Sequence, residues 1–212
     1  MQLDRPFLTV TSAVDGDVLT VLARADAEFT PPEIQRLIGH RSVEGIRASL
    51  DRLVEQGIVE RRVVGRAGVH RLNRTHLAAG AVLALASLGD ELISRLRALL
   101  EQWPQPAEFA ALFGSAARGN MRPESDIDLF VVRPARVDTD DGPWGDQIAH
   151  LEDLVSTWTG NDARVLEMGS NDCRSGVRNG ERLLTDIARE GIVLAGPWEY
   201  FTRLGSRRRG GR

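Results

Sequence analysis

The chain has 212 residues, 42% of them apolar, and a formal net charge of −3. That length holds one large domain or two smaller ones with real hydrophobic cores, and the nearly balanced charge excludes a chain-wide polycation built for nucleic acid. All 27 basic residues are arginine, which reads as a lineage or codon bias rather than a device at one site, and the single cysteine, Cys173, excludes an internal disulfide and fits a reducing cytoplasm.

The opening MQLDRPFLTV lacks a basic stretch followed by a long apolar one, so no signal peptide is expected. No uncharged apolar run approaches the roughly 18 residues of a membrane span, so a cytoplasmic protein is expected. Phe7 to Val10 suggests a short strand. A helix is predicted from Asp15, with Val18, Leu19, Val21 and Leu22 on its apolar side. Thr30 can cap a second helix that starts on Pro31-Pro32 and runs through Ile34, Leu37 and Ile38 to Gly39. A third begins at Ser42, places Ile46, Leu50, Leu53 and Val54 at helical spacing, and stops at Gly57. Ile58 to Val64, a turn at Gly65 to Gly68, and Val69 to Leu72 then predict a β-hairpin.

Three helices followed by a hairpin resemble a winged helix-turn-helix domain. The resemblance makes the helix from Ser42 the recognition helix and the hairpin tip the wing. Arg41 to Arg74 holds eight arginines and four acids, so positive charge gathers on the elements that would meet a DNA backbone. Arg61, Arg62 and Arg66 on the hairpin and Arg41, Arg47 and Arg52 on the helix are the candidate contacts with double-stranded DNA. The plainer alternative is a solvated hairpin face on a protein–protein adaptor.

Residues 77–103 predict a linker helix. Val82, Leu83, Leu85 and Leu88 form one stripe and Leu92, Ile93, Leu96, Leu99 and Leu100 another, with Gly89-Asp90 as a kink or restart. Trp103-Pro104 ends it.

Residues 109–132, FAALFGSAARGNMRPESDIDLFVV, carry the chemistry. Two apolar runs enclose a Gly-Ser turn, an arginine and an Asp-x-Asp pair, which predicts strand, turn with a short helix, strand. Residues two apart on a strand share a face, so Asp126 and Asp128 stand together, and carboxylates that close repel unless a cation or a shared proton lies between them. Hard oxygen ligands favour Mg²⁺, which usually completes its shell with water and substrate phosphates. Gly114 lets a phosphate approach the backbone, Ser115 offers a hydroxyl at a helix start, and Arg118 lies about one turn on. Alone, an Asp-x-Asp is a solvated strand end and a Gly-Ser is a turn; together they describe a site for a nucleoside triphosphate and its metal.

The GSAARG and SDIDLFVV segments resemble the minimal nucleotidyltransferases of the DNA polymerase β-like superfamily, whose motif is Gly-Ser, about ten residues, then Asp-x-Asp. The resemblance implies that Asp126 and Asp128 are catalytic and bind Mg²⁺, that Gly114 and Ser115 hold the triphosphate with Arg118 nearby, and that a nucleoside monophosphate moves to an acceptor hydroxyl with loss of pyrophosphate. The family's third carboxylate belongs on a later strand. The candidate strand here is Ala163 to Met168, where the aligned position carries Arg164; after a shift of register, Glu167 or Asp162 could substitute.

Beyond that motif, 133–145 reads as an exposed acidic loop containing Asp140-Asp141, Gln147 to Trp158 as a helix, Gly169 to Gly180 as a polar loop, Glu181 to Arg189 as a helix and Ile192 to Leu194 as a last strand. The expected fold is α+β: a winged helix-turn-helix over 1–76, the linker helix over 77–103, an α/β nucleotidyltransferase domain with a mixed sheet over 104–198, and a basic tail over 199–212. The expected function is transfer of AMP or another nucleotide, with ATP as the expected donor, coupled to DNA binding; the resemblance implies a protein or small molecule as acceptor, an antitoxin-like role and a protein as one partner. The alternative is a DNA-binding regulator whose transferase domain does no chemistry and only senses nucleotide or holds a partner.

Overall fold

The computed structural model describes residues 1–137 and 142–205. Asp140-Asp141 of the acidic loop and the arginine-rich end of the basic tail, both singled out in the sequence, lie outside them. Grouped by contacts, the chain forms two units, Gln2–Asp90 and Glu91–Arg212 with Met1.

The first unit opens with a 3₁₀ turn at Pro6–Thr9 where the sequence suggested a strand. Pro6 fixes φ for a turn and Phe7 is buried, so one anchored side chain takes the place of an alternating strand. Helices α1 (Val14–Arg24), α2 (Pro31–Ile38) and α3 (Val43–Glu55) follow, and each start has a local cause. Thr30 and Glu33 hydrogen-bond reciprocally across the first turn of α2, with Thr30 N–H donating to Glu33 Oε2 at 2.7 Å. Ser42 Oγ accepts from Gly45 N–H at 3.1 Å to cap α3. Strands β1 (Val59–Val64) and β2 (Ala67–Leu72) pair antiparallel, joined by Gly65-Arg66 alone. The turn is therefore shorter than the four residues expected: Gly65 takes φ +60°, so two residues suffice and Gly68 stays in the ladder. The core gathers Val18, Leu22, Ile34, Ile46 and Leu50, and it reaches Ala79 and Val82 of α4 (Ala79–Ala86). The linker helix is interrupted, as the kink or restart at Gly89-Asp90 expects, but earlier, at Ser87, after which α5 (Leu88–Glu101) begins.

The second unit holds a four-stranded sheet in the order β5-β4-β3-β6, made of β3 (Phe109–Phe113), β4 (Ile127–Arg133), β5 (Ala163–Gly169) and β6 (Ile192–Ala195). Strand β3 runs antiparallel to β4 and β6, whereas β5 runs parallel to β4, so the sheet is mixed as expected. The parallel step needs a crossover, which α7 (Gly142–Thr159) provides. This helix begins five residues before the sequence signal at Gln147, because Pro143 is tolerated in a first turn and Trp144, 1% exposed, anchors it edge-on to Trp103. On one sheet face Phe109, Ala111, Phe130 and Val132 pack with Cys173, Leu184, Ile187 and Tyr200. Those last four come from α8 (Ser170–Asn179), α9 (Arg182–Glu190) and α10 (Tyr200–Gly205).

Helix α8 replaces the loop expected at 169–180. Its apolar signal is weak because only Cys173 and the small Ser170 and Gly176 are fully buried, and Gly176 faces Leu184 so closely that a methyl there would clash. Gly180 in the left-handed region ends it. Among the described residues no helix is long and apolar enough to cross a membrane.

Candidate active site

Antiparallel register sets Phe113, the last residue of β3, opposite Asp128. The chain then turns at Gly114 directly over that carboxylate. Gly114 has φ +70°, and a methyl group on it would overlap Asp128 Oδ2 and lie 3.2 Å from Cγ. No other residue type satisfies both demands, so the Gly-Ser turn and the Asp-x-Asp pair, ten residues apart in sequence, meet at one place. Ser115 is half-buried in the first turn of α6 (Gly114–Arg118). That helix is a single short turn, so what it offers a ligand is local backbone N–H groups rather than a summed dipole.

Asp128 lies on the same face of β4 as Asp126, with Ile127 fully buried between them on the other face. Its carboxyl is pushed above the usual range, first by burial and then by the charge of Asp126, with Arg164 and Arg118 pulling the other way. Two acids so placed favour a cation between them.

The nearest cation belongs to the protein. Parallel register places Arg164 of β5 beside Asp128, and its Nη1 lies 2.9 Å from Asp126 Oδ2. Arg164 is 70% exposed and Asp126 24% exposed by side chain, so the pair sits at the rim with the guanidinium in solvent. Glu167 does not join it. Three residues along β5 it points to the opposite face, where Arg133 Nε donates to its Oε1 at 2.7 Å. The alternation of a strand thus removes Glu167 from the candidate third-carboxylate role. Asp162 is exposed at the start of β5, and its carbonyl accepts from Ile127 N–H at 2.8 Å. Among the described residues no third His, Cys, Asp or Glu gathers with the pair.

Arg118 lies 3.5 Å from Glu190 Oε2, an acid on α9 that sequence reasoning missed. No local signal marks Glu190, since the contact spans two helices and the sheet.

The six arginines expected on the first unit separate into two groups. Arg41 donates to Asp17 at 2.7 Å, Arg62 donates to Glu28 at 2.9 Å, and Arg52 pairs with Asp15. Arg47, Arg61 and Arg66 have no ion pair among the described residues and line one cavity between α3 and the hairpin.

Residues 93–166 match the family model of the nucleotidyltransferase domain. That match spans most of α5, strands β3 and β4 and the start of β5. No curated protein matches. Similar solved structures include a toxin–antitoxin crystal structure with AMP-PNP, at 19% identity over 53% of this chain and 80% of that one, TM-score 0.37. Another is a mutant of the toxin–antitoxin MntA-HpeT, at 16% identity over the same shares, TM-score 0.37.

Proposed function

We propose that the chain transfers a nucleoside monophosphate, AMP by preference, from a Mg²⁺-bound triphosphate to a hydroxyl on a protein or small molecule. The observation that carries this reading is the seat of Gly114 against Asp128, which gives one place both a phosphate-permissive backbone and a carboxylate pair. Asp126 and Asp128 are the ligands offered to Mg²⁺, and two carboxylates plus phosphate oxygens and water are a usual set for that ion. Bound there, Mg²⁺ supplies charge neutralisation to the phosphates during an in-line displacement. Gly114 and Ser115 hold the triphosphate, and Arg118 adds a guanidinium within the same field. The acceptor oxygen bonds to the α-phosphorus, the bond from that phosphorus to the bridging oxygen breaks, pyrophosphate leaves, and the hydroxyl proton passes to water.

The first unit, read as a winged helix-turn-helix, binds double-stranded DNA through its arginines, and an antitoxin-like role with a protein acceptor suits that pairing. The arginine at position 164, in ion-pair contact with Asp126, favours a second reading, a DNA-binding regulator that holds nucleotide or a partner without chemistry.

Pure protein with α-labelled ATP and Mg²⁺ separates the two. Pyrophosphate release and a labelled acceptor, both lost in Asp126→Ala/Asp128→Ala, identify the enzyme. Nucleotide binding without release for any triphosphate or acceptor identifies the regulator.

A further inference from the structure

The cavity between α3 and the hairpin has a volume of about 480 Å³. Arg47 reaches it from α3 and Arg61 and Arg66 from the hairpin, with Leu50 in its floor and Asp51 the one acid in its lining. Charge therefore runs three guanidiniums to one carboxylate. Of the six candidate arginines, these three form no ion pair among the described residues, whereas Arg62, next along β1 and on its opposite face, is held by Glu28, and Arg71 on that same outer face by Glu60.

Two further features give the cavity a built character. Arg61 lies flat across Gly68, its Nε 3.1 Å from where a β-carbon would stand, so the glycine lets the guanidinium lie close on the ladder. His70, the register partner of Arg61, is 4% exposed, and its Nδ1 is buried with no hydrogen-bond partner. Burial disfavours the charged form of that ring, so the three guanidiniums supply the cavity's cationic character.

We propose that this cavity binds a phosphate group. Arginine guanidiniums match phosphate oxygens in geometry and charge, and three of them converge on this one cavity. The phosphate belongs either to a duplex backbone or to a free polyphosphate. The inference deepens the DNA-binding reading of this unit in the first case and stands without it in the second.

Calorimetric titration of the full chain with inorganic pyrophosphate in metal-free buffer, and anisotropy of a labelled DNA duplex, test both sources. Arg61→Gln/Arg66→Gln is expected to weaken the bound species by roughly tenfold or more, and Arg71→Gln to leave it unchanged. Because Arg71 shares the hairpin but not the cavity, it controls for pyrophosphate held elsewhere and for general loss of charge. If the hairpin variant fails to fold, Arg47→Gln on α3 carries the same expectation. Pyrophosphate binding with this pattern and no duplex binding supports the cavity while ending the DNA reading; duplex binding alone with this pattern assigns the backbone as the source. Equal effects of Arg61→Gln/Arg66→Gln and Arg71→Gln, no effect of either, or no binding of pyrophosphate or duplex by the wild-type chain overturns the proposal.

Discussion

Arg164 Nη1 stands 2.9 Å from Asp126 Oδ2, so the carboxylate that would hold a divalent ion already holds a guanidinium. An exposed pair of this kind is worth roughly 0.2–1 kcal/mol, too little to lock the site against a metal. Arg164→Ala is therefore expected to tighten Mn²⁺ binding about two- to fivefold, as read by electron paramagnetic resonance without nucleotide. Arg164→Asp is expected to tighten it further by adding a third oxygen ligand. Unchanged Mn²⁺ affinity in both variants would show that the guanidinium does not compete for the pair.

Gly114→Ala meets two obstacles at once, a φ of +70° and the Asp128 carboxylate in the space of the new methyl. Gly39→Ala meets only the first, since φ is +80° and nothing lies within 4 Å. Chemical denaturation is expected to show a loss of about 1 kcal/mol for Gly39→Ala and roughly 2–3 kcal/mol for Gly114→Ala. Pyrophosphate release should disappear in the second variant alone. Equal losses of stability would mean that β3 and β4 do not bring the turn onto Asp128.

Asp17 is 8% exposed and is shared by Arg5 of the opening 3₁₀ segment and Arg41 of the loop before α3. Burial works to raise its carboxyl, but hydrogen bonds from Arg41 and Arg5 outweigh burial and hold it below the usual carboxylate range. A depressed folded value means that the stabilisation is fully present above the unfolded value and fades as pH falls through the folded one. Thermal melts should therefore lose stability in acid below about pH 4. Asp17→Asn should cost about 2 kcal/mol at neutral pH, leaving two cations without a counterion, and should flatten the acid limb. An acid limb identical in the two proteins would refute this assignment.

Cys173 is fully buried, and burial pushes its thiol up to about 11. Thiolate is the reactive form, so a thiol reagent at pH 8 should modify the native protein slowly and the denatured protein at once. Rapid native modification would show that α8 opens readily from the sheet.

Local chemistry made much of this legible beforehand. Thr30 followed by two prolines, Ser42 before an apolar period, and Gly57 at a helix end announce α2 and α3 because caps and breakers act within one turn of chain. The run from Phe109 to Val132 announces β3, the turn and β4 for the same reason, and the spacing of Gly114-Ser115 and Asp126-x-Asp128 carries the site with it. Helix α8 stayed hidden because it buries little apolar surface: Cys173 packs on the sheet, and Gly176 leaves room for Leu184 of α9.

Tertiary structure alone decided which groups neutralise one another. The parallel register of β5 on β4 set Arg164 beside the aspartates and turned Glu167 away to Arg133. Contacts between elements likewise bound Arg41, Arg52 and Arg62 to acids and left Arg47, Arg61 and Arg66 facing a cavity. Charge is written residue by residue in a chain, but its partner depends on strand register and helix packing, which are long-range and cooperative; a one-residue slip in β5 would exchange the side chains that meet Asp126.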